Sequence, residues 1–421
     1  MGEAAIPPPG RTGRLHRRGL LAPFGYSLFA GVWLTNTISN FGGQMQAVGA
    51  AWLMTSLTSD PKIISLVTSA ALLPMLLFSL VAGAVADAVD RRLVLIVAQL
   101  TMFAASALLA WLAVEQAVTP AILIGLTFVI GSGFAFNAPA WQAAVRDMVP
   151  IGHVPEAISL NIIGFNLSRT AGPALGGMVV GWGGAQASFI VNAASYVGLL
   201  VVLARWLRFE KQVSLEPRGR MLGAIRAGLV HVAVATELRR VLIRVTLFGM
   251  ALGALLALIP IVVRQLGAGP DSMGLVFGCS GGGAVVGALF ANNLRLRFGM
   301  EPVLRLSIAL TAAGMAIIGG SNNLAVTAAA EGLTGFAATL GYTLFNMVMQ
   351  IQTPRPLLGR VMSIHQMAAL GGLALGSWLW GIVADPIGVF HTIILAAVAM
   401  AGMLILSLTM PLSSLLAEEL V

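Results

Sequence analysis

From Leu93 to Val114 the chain carries no charged residue. As a helix, such a run is long enough to cross the hydrocarbon of a bilayer, which takes about 20 apolar residues. Runs of this kind recur along the sequence, and their recurrence limits the chain to one class of fold. Lipid offers no partner to an unpaired N–H or C=O, so spans this long and apolar must satisfy their own backbones as α-helices. Composition agrees: 58% of the 421 residues are hydrophobic and 10% are charged, against roughly 25% charged in ordinary soluble domains. The expected protein is an all-α integral membrane protein.

The runs resolve into twelve segments, centred near Asn36, Leu73, Met102, Thr127, Ala171, Ala194, Ala251, Ala284, Thr311, Ala337, Leu370 and Met400. The stretch from Thr170 to Ala204 is too long for one span, and the Gly-rich segment 181–186 divides it. If the N-terminus is placed inside and the spans alternate, the 24 Lys and Arg distribute unevenly. Lys62 and Arg264 fall outside, Arg169 falls within a span, and the rest fall inside. Basic loops face the cytoplasm, so both termini of this multi-pass membrane protein are expected there. The net charge of +8 belongs to those loops and not to a nucleic-acid surface. The single cysteine, Cys279, has no disulfide partner in the chain, and no metal-ligand cluster surrounds it. No cofactor or metal is expected. The long first apolar stretch reads as a retained span and not as a signal peptide.

The longest connection, about 205–240, holds Arg208, Lys211, Arg218, Arg220 and Arg226. Leu222, Ile225, Leu229 and Val232 recur in it at helical spacing. It reads as a short amphipathic helix on the inner face, with a disordered linker as the alternative. The expected organisation is a segment 1–22, a six-helix bundle 23–207, a linker 208–238, a second bundle 239–411 and a tail 412–421.

Between the second and third spans stand Gly83, Asp87, Asp90, Arg91 and Arg92. A weaker echo in the second half has Gly287, Ala291, Arg295 and Arg297. One shift of 204 residues carries Gly83 onto Gly287, Arg91 onto Arg295, Pro150 onto Pro354 and Ser159 onto Ser363. It also carries Gly172 onto Gly376 and Gly177 onto Gly381. Two parallel halves of this kind build a central site between two bundles in many secondary transporters.

These residues resemble the major facilitator superfamily, whose signature loop joins helices two and three. The match is partial, because Asp90 stands where the family often has Gly. A bacterial branch of enterobactin-exporter and macrolide-efflux-like proteins is closer. It is matched by Asn137 to Gln142, Glu156 to Asn161, Asn166 to Gly177, Gln350 to Pro354 and Leu358 to Ser363. The resemblance covers nearly the whole chain and implies twelve helices in two pseudo-symmetric six-helix bundles, the major facilitator fold. Gly172, Pro173, Gly176 and Gly177 resemble a helix-five motif of exporters, although Ser168 stands where that motif usually has another Gly. The motif serves export or helix packing alone.

The resemblance also implies that Asp87 sits at the N-terminus of helix eleven, near Gly359 to Ser363. There the helix dipole favours a carboxylate, so the contact would latch the cytoplasmic side. Gly83, Asp87, Arg91, Asp147 and Arg360 are the gating candidates, with Arg91 paired to Asp147, while Asp90 and Arg92 either share in this loop's role or only decorate the surface. Arg169 lies deep in a span, where a lone charge is costly; it reads as a ligand for an anionic substrate or as a structural arginine. Glu331 is the acid within a span. A carboxyl that gains and loses a proton in a cavity is what proton antiport needs, and Gly332 and Gly335 read as room for a ligand beside it. Packing is the alternative. Asn36, Asn40 and Gln44 on helix one read as cavity lining or as interhelical hydrogen bonders. Asn137, Trp141, Tyr342, Asn346 and His365 complete the candidate substrate site.

The function these features support is export of a small amphipathic compound by a monomeric, proton-driven carrier bathed in membrane lipid. Uptake of a nutrient or lysolipid by the same fold is an alternative, as is a non-transporting sensor. A membrane enzyme is disfavoured because the five His are scattered and the acids sit mainly in loops.

Overall fold

The computed structural model describes residues 19–206, 230–354 and 357–412. The proposed linker helix, apart from Val232, lies outside the described residues, as do the segment before residue 19 and the tail after 412. The helices are α1 (Ser27–Leu57), α2 (Pro61–Ala88), α3 (Arg91–Val114) and α4 (Pro120–Ala144). One continuous helical stretch, Val154–Trp206, then holds two spans. Gly184, at φ 72 and ψ 177, breaks it into α5 (154–183) and α6 (185–206). That left-handed φ suits a residue without Cβ, and the break falls inside the Gly-rich segment. The second half comprises α7 (Thr236–Gln265), α8 (Pro270–Phe298), α9 (Met300–Gly320), α10 (Leu324–Gln352), α11 (Leu358–Ile387) and α12 (Val389–Thr409).

Helix starts follow local chemistry. Asp60, Asp90, Thr119 and Asn323 each accept a backbone N–H of the first turn of the helix that follows. Such a cap satisfies a donor that has no intrahelical partner. Asp90 is therefore the N-cap of α3, 3.0 Å from the Arg92 N–H, and not surface decoration. Its departure from the family's Gly has a helical reason. Nor is Arg92 decoration: its guanidinium stacks 4.7 Å over the Trp206 ring and donates to the Trp206 carbonyl, tying α3 to the end of α6.

The two halves pair their helices alike. In the first, α1 packs on α5 and α2 on α4; in the second, α7 packs on α11 and α8 on α10. The halves join through α5 on α8 and α11 on α2, which are equivalent contacts under the repeat. Its glycines mark these joints. A Cβ at Gly172 would stand 2.6 Å from Gln44 Cβ on α1, and one at Gly376 would stand 2.6 Å from the Met250 carbonyl carbon on α7. A Cβ at Gly177 would lie 2.5 Å from Gly274 N and 2.9 Å from Pro270 O on α8. One at Gly381 would lie 3.1 Å from Pro61 O on α2.

A polar cluster locks the first bundle internally. Ser106 of α3 donates to Gln46 Oε1 of α1 at 2.8 Å, and Asn192 of α6 donates to the same oxygen at 2.5 Å. Gln46 therefore faces α3 and α6, while Asn36 and Asn40 stand about 80° and 120° away around α1.

Candidate functional site

The contacts between halves begin at the face opposite the chain termini and reach only to mid-span. At that face Lys62 pairs with Asp385 at 2.6 Å. Arg264 crosses from α7 to the last turn of α1, donating to the Thr55 carbonyl, to Thr55 Oγ1 at 3.1 Å and to Ser56 Oγ at 3.4 Å. A guanidinium there meets carbonyls that the helix end leaves without partners. The Arg264 contact borders a cavity of about 620 Å³ lined by Thr58, Ser59 and Gln265. Farther in, Ser69 donates to the Ala374 carbonyl at 3.0 Å. The deepest approaches are Gly371 to the Leu76 side chain and Gly281 to Thr170. A Cβ at Gly83 or Gly359, near the terminal face, would meet nothing within 4 Å. Among the described residues, every hydrogen bond and ion pair between halves lies between mid-span and the non-terminal face. Among the described residues, the halves are closed on that face and parted on the other.

Exposed pairs such as Lys62–Asp385 contribute little individually. Reversing one sign should still bias the closure. Lys62→Glu is expected to raise the thiol reactivity of a Ser59→Cys reporter several-fold in a Cys279→Ala background. Adding Asp385→Lys is expected to restore it. Equal reactivity in all three proteins would show that the pair does not stabilise the closed face.

At the deepest contact, Arg169 adjoins Thr170. Successive helical residues turn by about 100°, which puts Arg169 half a turn from the apolar, exposed Leu167 and Met178 and on the side of Asn166 and Pro173. Arg169 is exposed, with no hydrogen bond or ion pair among the described residues. On α10, Tyr342 is half-buried. The Tyr342 ring packs edge-on against Phe248 at 5.3 Å, and its hydroxyl is buried without a partner. Asn346 shares the Tyr342 face one turn on and accepts from Gln350. Asn36, Asn40 and Gln44 are half-buried and carry no hydrogen bond from their side chains among the described residues.

Other candidates are placed differently. Asn137 is buried and accepts from Gln99 of α3 at 3.1 Å, so it belongs to the α3–α4 interface and not to the cavity lining. Trp141 packs in the first bundle's core, with Val145 and Leu160 among the residues of that cluster. His365 is buried on the α11 face of Ala369 and Gly372, which packs on α7. Glu331 is buried and accepts from Thr334 Oγ1 at 3.0 Å, with no cation in ion-pair range among the described residues. The space expected at Gly335 is filled by α8, since a Cβ there would lie 2.8 Å from Ser280 Cα, so this glycine serves close helix approach instead. A Cβ at Gly332 would meet Cys279 O at 3.5 Å, an ordinary contact.

At the terminal face, Arg91 reaches Asp147 at 3.3 Å and the Ala143 carbonyl at 3.5 Å, so the two gating candidates form a brace within the first half. Arg360 is exposed. The backbone of Asp87 lies in the last turn of α2, but its side chain lies outside those described. Residue-by-residue reading missed Arg244, which is fully buried in α7 and paired with Glu301 at 2.9 Å. It stands just past Arg239 and Arg240 and reads in sequence as part of the same basic loop end. The signal was its place two turns inside the helix.

The sequence matches the profile of the transmembrane secretion effector family over residues 18–421. The chain belongs to this family, a branch of the major facilitator superfamily of transporters. The staphyloferrin A transporter of Staphylococcus aureus is 25% identical, over 87% of this chain and 89% of its own. The multidrug efflux pump Tap of Mycobacterium tuberculosis is 26% identical, over 85% and 87%. Among solved structures, the nucleoside transporter NupG superposes with a TM-score of 0.71 at 13% identity, over 91% of this chain and 100% of its own. A bacterial homologue of the human lysosomal transporter Spinster, inward-facing and occupied, gives 0.70 at 15%, over 92% and 97%. These likenesses establish the major facilitator fold of a multi-pass membrane transporter.

Proposed function

We propose that this transporter is a monomeric, proton-driven exporter of a small amphipathic compound. The observation that carries the reading is how the halves meet: among the described residues their contacts run from one face to mid-span, and Arg169, exposed and unpaired, stands where they stop. Among the described residues, the terminal face carries most of the Lys and Arg, and it is assigned to the cytoplasm. Substrate then reaches Arg169, Asn36, Asn40, Gln44, Tyr342 and Asn346 from inside. Rocking of the halves parts the Lys62 and Arg264 contacts and closes the inner face, where Asp87 and Arg360 meet as the latch. The relatives named for siderophore transport and drug efflux support a substrate of this size.

Glu331 is the proton-coupling group in this reading. It lies eleven residues from Tyr342, close to three full turns, and so shares its face about 16 Å nearer the closed side. A proton taken up there in the outward-open state and released in the inward-open state drives export. In energised everted vesicles, a panel of siderophores, macrolides and amphipathic dyes should include a compound whose accumulation collapses with the pH gradient. Glu331→Gln should lower that accumulation at least tenfold at unchanged protein level. Accumulation indifferent to the gradient and to Glu331→Gln would sink proton coupling. Concentrative uptake by intact cells would reverse the direction.

A further inference from the structure

We infer that the cavity beside Arg264 is a second ligand site, reached from the non-terminal face, which takes a small organic carboxylate and locks the two halves together while it is occupied. The inference goes beyond the export reading: it needs the halves to rock, but neither a direction of transport nor a driving ion.

Both halves build its walls. The first half supplies the chain from Thr55 to Ser59, at the end of α1 and the turn into α2, together with Ile64; the second supplies Ile261, Arg264 and Gln265 of α7. At about 620 Å³ the chamber falls within the range of small-molecule sites, roughly 300–1,000 Å³. Among the described residues that line it, Arg264 alone is ionisable, and no carboxylate stands within ion-pair range of it. Its bonds to Thr55 and Ser56 all come from Nη1, so Nε and Nη2 carry no hydrogen bond among the described residues. The side chains of Ser59 and Gln265 carry none either, and both residues are exposed. The charges next in sequence are engaged elsewhere: Asp60 caps α2 at the Lys62 N–H, and Lys62 Nζ pairs with Asp385. The chamber is positive and rich in donors, with Ile64 and Ile261 as an apolar flank.

These donors select an anion. The N–H groups of Nε and Nη2 form one side of the planar guanidinium fork, and that side matches the two oxygens of a carboxylate in a bidentate pair. The Ser59 hydroxyl and the Gln265 amide can donate to the lone pairs that remain. An ammonium group would be repelled by Arg264 and would find no acid in the lining. The apolar flank suits a short hydrocarbon chain. Because the walls belong to different halves, the chamber is complete only while this face is closed. A ligand held there favours one conformation over the other and shifts the equilibrium toward it. It also adds to the Arg264–Thr55 contact instead of replacing it, since Nη1 stays on Thr55. Occupancy therefore slows the carrier by holding it in the conformation that is parted at the terminal face.

The test uses the purified full-length protein in detergent, with hexanoate and hexanamide as probes at constant ionic strength. Affinity is read by calorimetry, and conformation by thiol labelling of Ser65→Cys in the Cys279→Ala background. Ser65 is fully buried against Gly381 where α2 meets α11, so a thiol there is reached only when this face parts. Hexanoate is expected to bind at least tenfold tighter than hexanamide and to slow the labelling several-fold, while hexanamide leaves it unchanged. Arg264→Gln should abolish both effects, and Arg264→Lys should keep part of them. Ser59→Ala combined with Gln265→Ala should weaken hexanoate binding several-fold, and Arg169→Gln, at mid-span, should change neither readout. Equal affinities, no binding of either probe, or hexanoate binding that survives Arg264→Gln would overturn the site. Binding that is lost in Arg169→Gln and kept in Arg264→Gln would place the anion at mid-span and overturn it too. Hexanoate binding that leaves the labelling rate unchanged would overturn the lock.

Discussion

Gly177→Val is expected to reach the membrane at near-normal abundance and to lose at least nine-tenths of its transport. The new side chain would start from a Cβ lying 2.5 Å from Gly274 N and 2.9 Å from Pro270 O. Those are backbone atoms of another helix and cannot swing aside. The α5–α8 crossing must widen, yet that crossing is half of the closed face. Helices that approach through glycine at both positions have no side chain to trim in compensation. Each bundle keeps its own contacts, so folding should survive. The closed-face conformation should not, and a carrier needs both conformations to turn over. A Ser59→Cys reporter in the Cys279→Ala background should become strongly reactive in Gly177→Val. Normal transport, or a silent reporter, would show that closure does not depend on this crossing. Gly381→Val, the repeat equivalent against α2, should behave alike.

The glycine result bears on how much of the molecule can be read from its residues. The twelve spans were legible because a lipid-crossing helix writes its length and apolarity directly into the chain. Even the α5–α6 break was legible, since only a Gly-rich segment interrupts an otherwise uncharged stretch. The repeat was legible too, but its meaning was not. Gly177 and Gly381 look like chance matches in a sequence with 49 glycines, and only three-dimensional pairing reveals both as joints between halves. Side-chain direction was the harder problem. Gln46 and Asn40 lie six residues apart on one helix, yet one faces α3 and α6 while the other does not. Asn137 reads as a cavity amide until Gln99 is placed against it. Gly335 reads as open space because a missing side chain looks the same whether a ligand or a neighbouring backbone fills the gap.

Arg244 gives the other large effect, and it separates a brace from a gate. Arg244→Ala is expected to lower the unfolding free energy by about 3–5 kcal/mol, the usual cost of breaking a buried pair on one side. Its guanidinium is fully buried, donates to Glu301 Oε2 at 2.9 Å and to the Met410 carbonyl at 3.4 Å, and lies 5.9 Å from the Phe345 ring centroid. Glu301 in turn accepts from Leu412 N at 3.2 Å. One pair thus ties α7, α9 and the chain leaving α12 at the terminal face. Arg91–Asp147 in the first half is partly exposed, and its loss should cost about 1 kcal/mol or less. The two halves therefore hold their terminal ends by different means. Arg244 leaves its Nε and Nη2 without partners, so part of its desolvation is uncompensated. Arg244→Met combined with Glu301→Leu should then recover most of the stability lost in Arg244→Ala. Denaturation midpoints in mixed micelles would measure both proteins. A double variant as unstable as the single one would mean that the charges themselves are required at this end of the second bundle.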